Sequence, residues 1–418
     1  MTLRITRLTP LACVIALTLL VTGCSKPPAP RFHLNVVAAV KARVSAPAQQ
    51  QVANILAALY GTPDQPRLPP EVPFKEALLA RAAGPVASDI HGRKVGLYRE
   101  HCVHCHGISG DGMGPTAAFL NPYPRDYRMG AFKFKSTDGK EMPTDADLAK
   151  VLEEGIPGSS MPSFRMLAEE DRQALVEYVK YLSLRGQTEL NMYDTVNDFL
   201  TIDEAAGTAK TDSLDKGTLA DMYAPFAGKW KDAAEKIVKP GSVPPAGFEN
   251  DPKIVELGHK LYFDKASANC QQCHGTSALG DGQLTGFDDW TKLVNEASDR
   301  LNGIISSADS PTATSEDKAA AARAKVDLAL VKEFSLKPRN IIPRNLRSGI
   351  YRGGRRPIDL YYRIMAGING SGMPAHNTLL KTEEERWAIV AYVLSLPYQA
   401  GGALAFEQET IAPSRETN

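Results

Sequence analysis

The chain has 418 residues, of which 43% are hydrophobic and 23% charged. That balance belongs to ordinary globular proteins and excludes disorder, collagen or a multi-span membrane protein as a description of the whole. Lys and Arg number 48, as do Asp and Glu, so the basic excess that nucleic-acid binding requires is missing.

Arg4 and Arg7 precede a short apolar run from Leu11 to Val21, the pattern of an export signal and short for a membrane span. The run ends in Val21-Thr22-Gly23-Cys24, which resembles the bacterial lipoprotein box. The resemblance implies a signal peptide over 1–23 and a lipid on Cys24 at the new N-terminus. Acyl chains contribute about 0.8 kcal/mol per buried CH₂, so a multiply acylated cysteine holds a chain on a membrane. The expected location is the periplasmic side of a membrane, with inner or outer membrane undecided. Over 24–85 the sequence reads as anchor, proline-rich tether and one short helix. That helix is predicted over Pro47 to Tyr60 from the spacing of Val52, Ile55, Leu56 and Leu59, with Gly61 ending it.

Beyond Cys13 and Cys24, the cysteines form two pairs: Cys102-Val-His-Cys105-His106 and Cys270-Gln-Gln-Cys273-His274. An exported chain can use four cysteines for disulfides. Disulfides give no reason for a histidine after each pair. C-x-x-C-H is the attachment pattern of c-type haem, in which two thioethers fix the porphyrin edge and the histidine binds iron. Zinc would bring four ligands to one site, with cysteine pairs closer in sequence than these. The residues predict two covalently attached haem c groups. Cys102, Cys105, Cys270 and Cys273 are the attachment points, and His106 and His274 the proximal iron ligands.

The motifs lie in an internal repeat. Glu169 to Val179 matches Glu383 to Val393, with seven of eleven positions identical and apolar residues at helical spacing in both. Pro124-Arg-Asp-Tyr-Arg128 matches Pro343-Arg-Asn-Leu-Arg347, and Gly110-Asp-Gly112 is paired by letter with Gly280-Asp-Gly282. Residues 187–249 read as a partly helical linker. The second copy carries an insert near 287–337, alanine-rich and predicted helical over Glu316 to Phe334.

This order of helix, C-x-x-C-H, loop, methionine and closing aromatic helix resembles class I cytochrome c. The resemblance implies a mainly α fold: two such domains in tandem, at 86–186 and 250–399, with a tail over 400–418. The second copy has the family's glycine–aromatic spacing in Gly258 and Tyr262; the first has Tyr98 but Lys94 where the glycine is expected. In the family a methionine before the closing helix is the distal iron ligand. That implies Met161, in Gly158-Ser-Ser-Met-Pro, and Met373, in Gly370-Ser-Gly-Met-Pro. Competitors are Met113 and Met166 for the first site and Met365 and His376 for the second; His101 and His104 are placed outside the ligand set. In related cytochromes a loop proline carbonyl orients the proximal histidine, which makes Pro124 and Pro343 candidates. Arg125 and Arg344 are candidates for pairing with haem propionates.

The resulting expectation is a membrane-tethered dihaem electron carrier working between redox proteins or within a respiratory complex, without a small-molecule substrate. The alternative is a dihaem peroxidase, suggested by the resemblance of Glu256-Leu-Gly-His-Lys-Leu-Tyr-Phe-Asp264 to the stretch before a haem motif in that family.

Overall fold

The computed structural model describes residues 29–89, 92–203, 206–211 and 214–405. Cys24, the signal segment and the end of the tail lie outside the described residues. Among the described residues no helix is long and apolar enough to cross a membrane.

Three helices come first: α1 (Val36–Lys41), α2 (Ala46–Tyr60) and α3 (Glu76–Ala82). Strands β1 (Val86–Asp89) and β2 (Gly92–Val95) form an antiparallel hairpin with Val86 opposite Val95. The first motif lies on α4 (Leu97–His101) and α5 (Val103–His106), followed by α6 (Asp145–Glu154) and the long α7 (Glu169–Asp194). A second hairpin, β3 (Leu200–Asp203) with β4 (Thr208–Thr211), leads to α8 (Lys216–Asp232). The second half contains α9 (Pro252–Phe263), α10 (Gln271–His274), α11 (Asp289–Ser307), α12 (Ser315–Glu333), α13 (Pro357–Ala366) and α14 (Glu383–Ser395).

Local sequence sets these boundaries. Asp251 caps α9 through the Lys253 N–H, and Pro252 takes the first turn, where no N–H is needed. Thr382 and Glu385 close a reciprocal capping box on α14, a feature that contributes about 1 kcal/mol.

Two cores result. The second is built from Phe248 to Leu396, with α9 crossing α14. Gly258 lies against the Ala388 carbonyl at that crossing, where a Cβ has no room. The first core has a different entry. Lys94 lies on β2, not on a helix; the hairpin interrupts the chain ahead of α4, and α3 packs against α7 instead. The aromatic contact survives in both halves: Tyr98 and Tyr178 have ring centroids 4.7 Å apart, and Tyr262 and Tyr392 5.3 Å.

The closing helix of the first half runs past residue 186 to Asp194 and is buried on all sides over most of its length. Helices α2, α3 and α8 cover it. The insert in the second half turns back onto the first. Its hairpin of α11 and α12 buries Leu293, Val294, Ala297, Leu301, Ala324 and Val331 in the first core, against α1. A Lys41–Glu296 ion pair at 2.6 Å and an Arg300 hydrogen bond to the Val40 carbonyl at 2.8 Å fix the contact.

Candidate haem sites

Each C-x-x-C-H segment is a single helical turn whose histidine is held at one nitrogen. His106 Nδ1 lies 3.0 Å from the Arg125 carbonyl oxygen, and His274 Nδ1 lies 3.1 Å from that of Arg344. The acceptors are thus the carbonyls one residue beyond Pro124 and Pro343, a correction to the proline assignment. The proline carbonyls instead pack against Gly112 and Gly280, both at positive φ, where a side chain does not fit. With Nδ1 donating to a carbonyl, Nε2 is left with its lone pair free for a metal. Burial pulls the His106 pKa down to about 4 and lowers that of His274, so both rings are neutral at pH 7. The His106 ring also stacks on Tyr127, at 4.7 Å between centroids.

The turns are tied to the helices in front of them by the same bond. Tyr98 Oη donates to the Gly107 carbonyl at 3.0 Å, and Tyr262 Oη to that of Gly275 at 2.8 Å. The loops after them follow one path. Gly112 N–H donates to the His106 carbonyl and Gly280 N–H to that of His274, each at 2.9 Å. Tyr127 N–H meets the Gly110 carbonyl at 2.7 Å, as Leu346 N–H meets that of Ala278 at 2.9 Å. Gly110 therefore corresponds to Ala278 and Gly112 to Gly280, so the letter match of the two Gly-Asp-Gly strings is two residues out of register. The space beside the glycine after each motif is filled by Asp111 in one half and Asp281 in the other, from different loop positions.

The methionine loops also repeat. Helices α6 and α13 end at Gly155 (φ +68°) and Gly367 (φ +70°). Ile156 N–H then donates to the Met161 carbonyl at 3.1 Å, and Ile368 N–H to that of Met373 at 3.0 Å. Ser159 and Ser371 brace the loops through hydroxyls that donate to the isoleucine carbonyls at 2.8 and 2.7 Å. Met161 and Met373 are half-buried, each packed against its own half's core. Among the competitors, Met166 is 96% exposed and Met365 is buried as core filling on α13. Met113 lines a cleft of about 230 Å³ with His33, Asp111 and Arg128. His104 is exposed, and His101 packs edge-on to Phe164. His376 takes the place of Phe164 in the second loop: its N–H donates to the Ile364 carbonyl as that of Phe164 does to Leu152. It is buried, and among the described residues its Nδ1 has no hydrogen-bond partner.

These residues fit haem c. The thiols of Cys102, Cys105, Cys270 and Cys273 are not joined in disulfides, and burial pushes Cys102 and Cys270 up to about 12. Cys102 is buried and the other three are half-buried, and each pair is followed by an imidazole whose Nδ1 is held by a carbonyl. Among the described residues no group of three or more His, Cys, Asp or Glu is placed to hold a bare metal ion. Each half instead offers one nitrogen and one soft sulfur, which suits an iron whose other ligands come from a porphyrin. The stacking of Tyr127 on His106 is not legible in the Pro124-Arg-Asp-Tyr-Arg128 element that contains it, because it depends on a contact distant in sequence.

Residues 95–183 match the family Cytochrome c, and this segment is a c-type cytochrome domain with its C-x-x-C at 102–105. The match does not take in the second cysteine pair at 270–273. No curated protein matches the chain. Among solved structures, a chain of the reducing HAO-like protein complex of Kuenenia stuttgartiensis is similar at 24% identity and a TM-score of 0.43. The similarity covers 72% of this chain and 93% of that one.

Proposed function

We propose that the chain is a dihaem c-type cytochrome carrying electrons between protein partners outside the cytoplasm, tethered to a membrane through Cys24. The observation that carries this reading is the agreement between the halves. Both have a proximal histidine tied at Nδ1, a tyrosine fixing the C-x-x-C-H turn, and a serine-braced Met-Pro loop. Bound haem c supplies an iron that gains and loses one electron. The chain's part would be to hold that iron, through His106 with Met161 and His274 with Met373, and to keep water from it. Thioether sulfur is a soft, neutral donor, and pairing it with imidazole raises the potential. With two ligands from the chain, each iron would have no position left for a substrate, which favours outer-sphere transfer over catalysis.

The reduced protein is expected to contain two covalent haems, to titrate reversibly and to bind no carbon monoxide rapidly. Rapid binding by half of the haem, with turnover of peroxide, overturns the carrier reading in favour of a peroxidase. The tether has its own check. Labelled fatty acid is expected in the unmutated chain and absent from Cys24→Ala; equal labelling of both removes the lipid assignment.

A further inference from the structure

The chain is fastened from Phe32 onward, and the fastening is at the first haem site. Phe32 lies under the Arg185 guanidinium at 4.7 Å and beside the Tyr181 ring at 6.0 Å. His33 N–H donates to Ser109 Oγ at 2.6 Å, three residues beyond His106. Arg128, next to the Tyr127 that stacks on His106, donates to the Leu34 carbonyl at 3.4 Å. Asn35 N–H donates to the buried Glu189 carboxylate. From there α1 packs on α7 and on the insert hairpin. The apolar residues from Phe32 to Val44 belong to the first core, and none of them to the second.

The sequence around this root is basic. Between Cys24 and Asp64 it has Lys26, Arg31, Lys41 and Arg43 but no Asp or Glu, in a chain whose charges balance overall. Arg31, His33 and Arg43 are exposed. Two acidic residues of the insert face this stretch: Glu296, paired with Lys41, and Glu333, which lines the cleft beside His33. The four cations outnumber them. Cations near an anionic lipid surface gain about 1 kcal/mol each, an attraction that fades within about 8 Å.

Reach sets the second constraint. Cys24 is eight residues ahead of Phe32. Whatever its path, a segment of that length spans no more than about 29 Å. A compact chain of 418 residues is on the order of 50 Å across. An acylated Cys24 therefore keeps the pole opposite the root from touching the bilayer.

Resting on the lipid-anchor reading above, we infer that the basic root, with Arg31, His33 and Arg43, lies on anionic lipid headgroups. The first haem site is then turned to the membrane, and the second core is held away from it. The short leash limits the height of the root, and the cations select the face that lies down. In this orientation a redox protein embedded in the membrane meets the first haem before the second.

The test uses the lipidated dihaem chain in vesicles of phosphatidylcholine and phosphatidylglycerol that contain a nickel-chelating lipid. A nitroxide is attached at an exposed position, through Gln50→Cys in the first half or Lys253→Cys in the second. The haems are kept reduced, so that low-spin iron adds no relaxation of its own. Nickel is expected to relax the first label several-fold more strongly than the second. Arg31→Gln with Arg43→Gln is expected to weaken the relaxation of the first label. Glu384→Cys, exposed on α14, replaces Lys253→Cys should that variant lose its fold. Equal relaxation in the two halves, or stronger relaxation in the second, overturns the inference while the lipid anchor stands. An unchanged first label in the double arginine variant overturns the contact with anionic headgroups. A chain that carries no lipid and stays off the vesicles overturns the anchor reading and this inference together.

Discussion

Met161→Ala is expected to open the first iron and leave the second unchanged. The sulfur sits on a short loop closed by the Ile156–Met161 and Ser159–Ile156 hydrogen bonds, and these use backbone and serine atoms that the substitution keeps. The loop therefore survives while its donor is lost. Half of the haem should turn high-spin, bind carbon monoxide when reduced, and fall in potential because the soft ligand is gone. The second half needs one more change. His376 is buried three residues beyond Met373, its Nδ1 without a partner among the described residues, at the position where the first half has Phe164. Met373→Ala combined with His376→Phe copies the first half and is expected to open the second iron in the same way. The readout is the high-spin absorption band with carbon monoxide stoichiometry. An unchanged low-spin spectrum in Met161→Ala excludes Met161 as the ligand.

The elements nearest the chemistry were the ones legible in the sequence. A C-x-x-C-H turn, a Met-Pro loop and a capped helix are each specified within a few residues, and the repeat supplied an internal control on each. Register was less secure. The two Gly-Asp-Gly strings look equivalent, yet what the fold requires is a glycine against each proline carbonyl and a carboxylate beside the glycine after each motif. Asp111 and Asp281 meet the second need from either side of that glycine's match, so identical letters mark different positions. The length and burial of α7 were hidden for another reason. Leu175, Val176 and Val179 form a visible stripe, but much of the rest of the buried helix is polar. Lys180 pairs with Glu177 at 3.2 Å and with Asp145 at 2.9 Å, and Arg185 pairs with Glu189 at 3.2 Å. Lys180 and Arg185 also lie over the Phe74 and Phe32 rings. Charged residues that satisfy one another inside a fold read in sequence as a solvated face. Of the insert hairpin the sequence predicts only the second arm, Glu316 to Phe334, as helical; the first arm, Asp289–Ser307, and the site on α1 were not legible, and the site depends on a pairing across most of the chain, which periodicity does not record.

That same packing makes the two halves unequal in their dependence on haem. The core around α7 holds contacts that owe nothing to the C-x-x-C-H segment. Tyr60 Oη is 2.6 Å from Thr188 Oγ1, Tyr193 Oη donates to Glu189 at 2.7 Å, and α2, α3 and α8 enclose the helix. Among the described residues the second core has no such outer shell: it consists of α9, α13, α14 and the loops between them, arranged around the second motif. Removing the first attachment with Cys102→Ser and Cys105→Ser is expected to leave one haem per chain and to loosen the loops over 97–167, while α7 stays protected. Cys270→Ser with Cys273→Ser is expected to cost the second half its whole core, including α14. A small domain buries too little surface to stand the loss of a group at its centre. Hydrogen exchange followed by mass spectrometry separates the cases: slow exchange over 174–192 in the first double variant, fast exchange over 383–395 in the second. Two covalent haems in either variant contradict the attachment sites. Equal loss of protection in both would show that the outer shell of the first half does not hold α7 without its haem.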